Sequence, residues 1–184
     1  MVDRIALSAN SDVDHARLKA AAAPDSGDWL HAAPIASVGL KLTDEEIRIS
    51  IAQRLGVWTW SSHICICGKL VDARGLHGLS CRKSTPRYQR HAMLNDIIWR
   101  AIKRAQILAH KEPTGLITYG GKRPDRATLS PWSKPLAWDV SVPDTYADSH
   151  INMTSSEAGA AARQAASTKN TKYMTSPLLI SSIP

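Results

Sequence analysis

All three cysteines of the chain, and two of its seven histidines, lie between His63 and Cys81. Cys65, Cys67, His77 and Cys81 follow the spacing Cys-x-Cys-x9-His-x3-Cys. Three thiolates and one imidazole form a closed tetrahedral shell, the donor set of structural Zn2+. A disulfide framework would leave one thiol over, whereas a Cys3His site uses all three. Gly68, Gly75 and Gly78 fall where a chain wrapping a metal needs unusual backbone angles or close approach. His63 is placed to replace one ligand or to orient another. The competing reading is three reduced cysteines in an ordinary core, since free cysteine packs as a small hydrophobe. The charged neighbours Lys69, Asp72, Arg74, Arg82 and Lys83 do not look like a core.

A second set of residues suits a different metal. Asp125 stands in a basic Lys-Arg-Pro-Asp turn, and Asp139 sits inside the strand-like run Leu-Ala-Trp-Asp-Val-Ser-Val. Two carboxylates at the ends of adjacent strands can hold a hard cation such as Mg2+. A cation so held activates water and offsets charge during phosphodiester hydrolysis. Glu112 is a candidate third oxygen ligand, and Lys169 or Lys172 a fixed positive charge for the scissile phosphate. Each of these also has a structural explanation: Asp139 salt-bridged in a core, and a chance Arg-Pro-Asp turn. Asp144 reads as a cap for the turn that follows it.

The elements that must position these groups follow from pattern. Residues 1–28 alternate polar and alanine-rich pieces and read as a flexible segment, with a helical turn or two between Arg17 and Ala23. Residues 29–60 form a helical entry. Its clearest element starts at the capping box Thr43-Asp-Glu-Glu46, continues through an apolar face of Ile47, Ile51 and Leu55, and stops at Gly56. The zinc module occupies residues 61–84. A basic helix is predicted over 87–108, with Leu94, Ile97, Ile98, Ala101, Ile102 and Ala105 at helical spacing. Short strands are predicted at 127–129 and 136–142, and one alanine-rich helix over 155–174. Residues 175–184 read as a disordered tail.

With 23 basic and 16 acidic residues the chain carries a net charge of +7, which points to a polyanionic partner. Between Arg82 and Arg104, seven Lys/Arg face one acid, Asp96. Arg82, Lys83, Arg87, Arg90, Arg100, Lys103 and Arg104, with Lys122 and Arg123 further on, are the candidate phosphate contacts. The bland alternative is a solvated helix face. No stretch approaches transmembrane length and residues 1–30 lack a signal peptide's apolar core. The expectation is an intracellular protein, nuclear or cytosolic, that binds DNA or RNA and uses neither a membrane nor a small-molecule substrate.

Taken in order, these features make a recognisable series: "RLG", "ARGLHGLSCRKS", "RH…LNDII", "EPTGL", "KRPD", "WDVSVPDT" and "KNTKY". The series, over residues 26–174, resembles the C-terminal part of the polyproteins of LINE-type (non-LTR) retrotransposons that carry a restriction-like endonuclease. The resemblance implies an α/β (α+β) fold: a zinc-knuckle-like nucleic-acid-binding module at Cys65, Cys67, His77 and Cys81, then a PD-(D/E)xK core over residues 85–174 with flanking helices. It implies Asp125 and Asp139 as Mg2+ ligands and Glu112 as an auxiliary acid. The family's lysine falls two residues after the second acid, where this chain has Ser141, so Lys169 or Lys172 would stand in for it. The implied activity is Mg2+-dependent nicking of DNA by a nuclear protein. No reverse-transcriptase segment is present, and "TSPLLISSIP" departs from the family, so the chain reads as a truncated fragment. A non-catalytic zinc-dependent binding module, or an inactive remnant of a mobile element, stays open as the alternative.

Overall fold

The structure, a computed structural model, describes residues 11–83, 85–113, 124–128, 136–173 and 179–183. It is an α+β chain that divides into two units. One holds the described residues before 84 together with Asp144–Ala161, and the other holds Thr85–Pro143 and the chain from Ala162 onward.

In the first unit, helix α1 (Asp12–Ala22) starts where the Ser11 hydroxyl accepts the Asp14 amide, with two acids in its first turn to suit the helix dipole. A segment read from sequence as flexible is therefore helical, with Ala16 fully buried. Helix α2 (Asp44–Leu55) carries the capping box in both directions: Glu46 N–H donates to Thr43 Oγ1, and Thr43 N–H donates to Glu46 Oε2. Gly56 ends it with φ of 74°. The apolar stripe of α2 is not its packed side. Ile47, Ile51 and Leu55 are exposed while Ala52 is buried. The polar residue Arg54 fixes this orientation. Its guanidinium donates to the Ala21 carbonyl at the end of α1 (2.6 Å) and to Ser26 O (2.9 Å), while Arg17 donates to Arg54 O (3.0 Å). A cation on the last carbonyls of a helix satisfies acceptors that have no partner within it.

Strands β1 (His63–Ile64) and β2 (Leu70–Val71) make a short antiparallel hairpin, followed by the one-turn helix α3 (Leu76–Ser80).

The second unit begins with helix α4 (Thr85–Arg104). Its most buried side runs through His91, Asn95, Ile98 and Ile102, whereas Met93, Leu94 and Ile97 are exposed. The helix stops four residues short of the predicted end. Gln106 N–H returns to Lys103 O and Ile107 N–H to Ile102 O, with Gln106 at φ 58°. This paired closure normally uses glycine.

Four strands follow in the order β3 (Ala109–Lys111), β4 (Arg126–Thr128), β5 (Leu136–Val140), β6 (Leu179–Ile183). The first three are antiparallel and β6 runs parallel to β5. Within 175–184, expected from sequence to be a disordered tail, residues 179–183 form an edge strand. Trp138, 1% exposed, is the largest buried side chain. Burying an indole removes roughly 150–250 Å2 from water, on the order of 4–6 kcal/mol.

The helix predicted over 155–174 forms, but only from Ala160 to Tyr173, and a separate short helix precedes the predicted span. Helix α5 (Ile151–Thr154) belongs to the first unit and packs on α1, and α6 (Ala160–Tyr173) follows a break at Gly159, whose φ of 72° favours glycine.

Candidate functional site

The cysteine cluster is built from two turns. After β1, Cys65 N–H donates to Lys69 O and Gly68 N–H to Cys65 O, with Gly68 at φ 88°. That tight turn puts Cys65 and Cys67 at the hairpin tip. Gly75, φ 72°, then starts α3; a Cβ there would meet Trp60 Cδ1 at 2.8 Å, so the chain needs glycine on both counts. One helical turn separates His77 from Cys81, whose N–H donates to His77 O. The four ligand atoms all lie within 4.8 Å of one another.

Two of the edges can be compared with a zinc tetrahedron. Cys65 Sγ and Cys81 Sγ are 3.7 Å apart, and a Zn–S bond of about 2.3 Å puts tetrahedral sulfurs roughly 3.8 Å apart. Cys67 Sγ to His77 Nε2 is tighter, at 3.1 Å. The cysteines are free thiols. The Lys69 backbone N–H, with His77 beside it, brings the Cys67 thiol down to about 6. At Cys81 the Lys83 N–H favours the thiolate, but burial and the neighbouring Cys65 and Cys67 sulfurs outweigh it and raise the thiol. Donor type, number and spacing fit Zn2+, so the group can hold a zinc ion. His63 stands apart from the cluster, exposed, with Nδ1 3.0 Å from Ser61 O.

The module is tied into its unit by Arg74, which donates to Asp14 Oδ1 at 2.9 Å. Burial works against the Asp14 charge, but the Ser11 hydroxyl, Arg74 and Arg17 outweigh it and hold the carboxyl below the ordinary carboxylate range.

In the second unit, β4 and β5 pair Arg126 with Trp138 and Ala127 with Ala137. Asp125 immediately precedes β4 and Asp139 lies in β5, one residue beyond those pairs on each strand. Two donors meet Asp125 Oδ2, Val140 N–H at 2.8 Å and Asn95 Nδ2 at 3.0 Å, and His91 Nε2 lies 3.2 Å from the same oxygen. Among the described residues Oδ1 has no such partner. Asp139 is buried and accepts from Lys169 Nζ at Oδ1, with Lys172 Nζ 4.0 Å from Oδ2. Lys169 also donates to Val140 O at 2.6 Å. Glu112 is not gathered with the two aspartates. It is exposed just after β3, at φ 44°, and its backbone N–H donates to Asp125 O. Among the described residues, the cysteine cluster is the one group of three or more His, Cys, Asp or Glu with ligand atoms close enough to share a metal.

His91 and Asn95 were missed from sequence as site residues. The available signal was their i, i+4 spacing, which places both on one helix face. Asn95 is 5% exposed, an unusual burial for an amide unless it serves a partner.

The predicted phosphate contacts are distributed. Arg82 and Lys83 are exposed in the first unit, after Cys81. On α4, Arg87, Lys103 and Arg104 are exposed, Arg90 is half-buried, and Arg100 is paired with Asp96 at 2.9 Å. Lys122 and Arg123 lie outside the described residues. Lys103, Lys111 and Arg126 converge on the Trp99 ring, at 5.3, 5.7 and 4.8 Å from its centroid. Among the described residues, no helix is long and apolar enough to cross a membrane.

No family model, curated protein sequence or solved structure matches the chain.

Proposed function

We propose that this chain is a nucleic-acid-binding fragment of a LINE-type retrotransposon polyprotein, acting in the nucleus, with a PD-(D/E)xK core that nicks DNA in the presence of Mg2+. The observation that carries the reading is that Asp139 in β5 takes Lys169 from α6, while Asp125 immediately precedes the neighbouring strand β4 and accepts from Val140 N–H. The family's lysine position is Ser141 here. A lysine brought in from a helix supplies the same charge beside the second acid.

Asp125 and Asp139 would hold the Mg2+, which when bound supplies an activated water and offsets charge on the phosphate. The chain's own residues do the positioning. Asn95 and the Val140 N–H, with His91 close by, fix Asp125 Oδ2, which orients Oδ1. Lys169, held between Asp139 and Val140 O, is a fixed cation for a phosphate oxygen. The zinc module and the exposed cations of α4 would contact DNA or RNA through phosphates.

One observation favours the non-catalytic alternative: Asp139 already has two lysines against it, as a structural ion pair would. Nicking of supercoiled plasmid decides between the readings. Zinc-loaded protein with Mg2+ is expected to convert the plasmid to open circles, and Asp125→Asn and Asp139→Asn to lose that activity. A folded, zinc-loaded parent that leaves the plasmid supercoiled, or variants that nick as well as the parent, would overturn the nuclease reading in favour of a binding module.

A further inference from the structure

We infer that Lys103, Lys111 and Arg126, gathered by Trp99, form a site for one phosphate of a nucleic-acid backbone; this rests on the nucleic-acid reading above. Lys111 and Arg126 are direct partners in the β3–β4 register. Like charges placed opposite each other work against strand pairing. Lys103 adds a third cation from the last turn of α4. An indole face attracts each cation but leaves its charge in place. Among the described residues, no carboxylate pairs with any of the three. Several other cations do have carboxylate partners: Arg48 has Glu45, Arg74 has Asp14, Arg100 has Asp96 and Lys169 has Asp139. Arg126 is 8% exposed, and its Nη1 is buried without a hydrogen-bond partner.

A concentration of positive charge that the fold does not neutralise calls for an anion from outside. Lys103 and Lys111 are exposed, whereas Arg126 is buried and adds its field to theirs. A phosphodiester, with its charge spread over acceptor oxygens, resolves the repulsion and accepts from both ammonium groups. The contact is with backbone and independent of sequence.

The test is fluorescence anisotropy of full-length, zinc-loaded protein on a labelled short DNA duplex across a salt series. Each of Lys103→Gln and Lys111→Gln is expected to reduce the slope of log K against log salt by about 0.9, and affinity roughly eightfold near 0.1 M salt. Lys41→Gln, an equal charge loss at an exposed position, is expected to leave the slope unchanged. Lys111→Glu separates function from stability. Opposite Arg126 it is expected to raise the melting temperature while lowering affinity further. Lysine variants indistinguishable from Lys41→Gln, or a Lys111→Glu protein that melts lower, would overturn the site while leaving nucleic-acid binding intact. Polyglutamate displacing the duplex at equal charge concentration would overturn it in favour of an acidic protein partner. A parent without affinity for the duplex would overturn the nucleic-acid-binding reading itself.

Discussion

Replacing Lys169 with methionine tests how the acidic site is held together. The side chains of Lys169 and Asp139 are 19% and 11% exposed, so the pair is largely shielded from water. Deleting one partner of a buried pair costs roughly 3–5 kcal/mol, because a charge stays behind unmatched. Here Lys172 Nζ remains 4.0 Å from the other oxygen. At an effective dielectric constant of about 20, that separation gives an attraction of about 4 kcal/mol before desolvation. The expected net loss for Lys169→Met is therefore smaller, about 2–3 kcal/mol. About 1 kcal/mol of it belongs to the lost bond to Val140 O, which does not involve Asp139. The assay is a double-mutant cycle of Lys169→Met, Asp139→Asn and both together, read by urea unfolding of the full chain. A coupling of about 1–2 kcal/mol is expected, with Lys169→Met the costlier single change. A coupling below about 0.5 kcal/mol would refute the pairing and remove the support α6 gives to the site.

Two further predictions concern the first unit. Purified protein is expected to carry one zinc by elemental analysis, and cobalt substitution to give the absorption of a tetrahedral thiolate site. Chelation, or Cys81→Ser, should abolish both and lower the melting temperature; unchanged melting after chelation would make the cluster an ordinary core. The second concerns acid. The Asp14 carboxyl is held below its ordinary value of 3.8, so it stabilises the fold above that pH, and the contribution is lost as pH falls through the folded-state value. Arg74→Met should cost about 1 kcal/mol at neutral pH and flatten stability below pH 3.8. An acid limb identical to the parent's would remove Arg74 from the explanation.

What could be read from the chain was what is local in it. The cysteine cluster closes within seventeen residues, through turns whose glycines are visible in the sequence, and its donor set comes together as spacing suggested. The Thr43 capping box is a four-residue pattern, and it formed. Strands β4 and β5 lie close to where apolar runs placed them. What escaped was settled by distant partners. Asn95 meets Asp125 across thirty residues of sequence, and nothing near either residue announces the other. The stripe of Ile47, Ile51 and Leu55 suggested a buried face, yet a guanidinium reaching for α1 carbonyls decided which side of α2 turned inward. Alanine-rich sequence favours helix throughout 155–174, so the left-handed turn at Gly159 had little local signal against it. Strand β6 depends on β5 for its hydrogen bonds, and an isolated apolar run does not disclose a parallel neighbour.

The return of Asp144–Ala161 to the first unit has a consequence for the order of synthesis and for inheritance. As the chain emerges from a ribosome, the metal cluster is complete once Cys81 is out, whereas α1 waits for α5 until after β3, β4 and β5 have appeared. The second unit in turn lacks Lys169 at that stage, and its edge strand comes last. Neither unit is an uninterrupted cassette. A break after residue 83 separates α1 from α5, and one before residue 162 parts Lys169 from Asp139. Recombination that shuffled either half alone would carry away a piece of the other, so the two are bound to be passed on together.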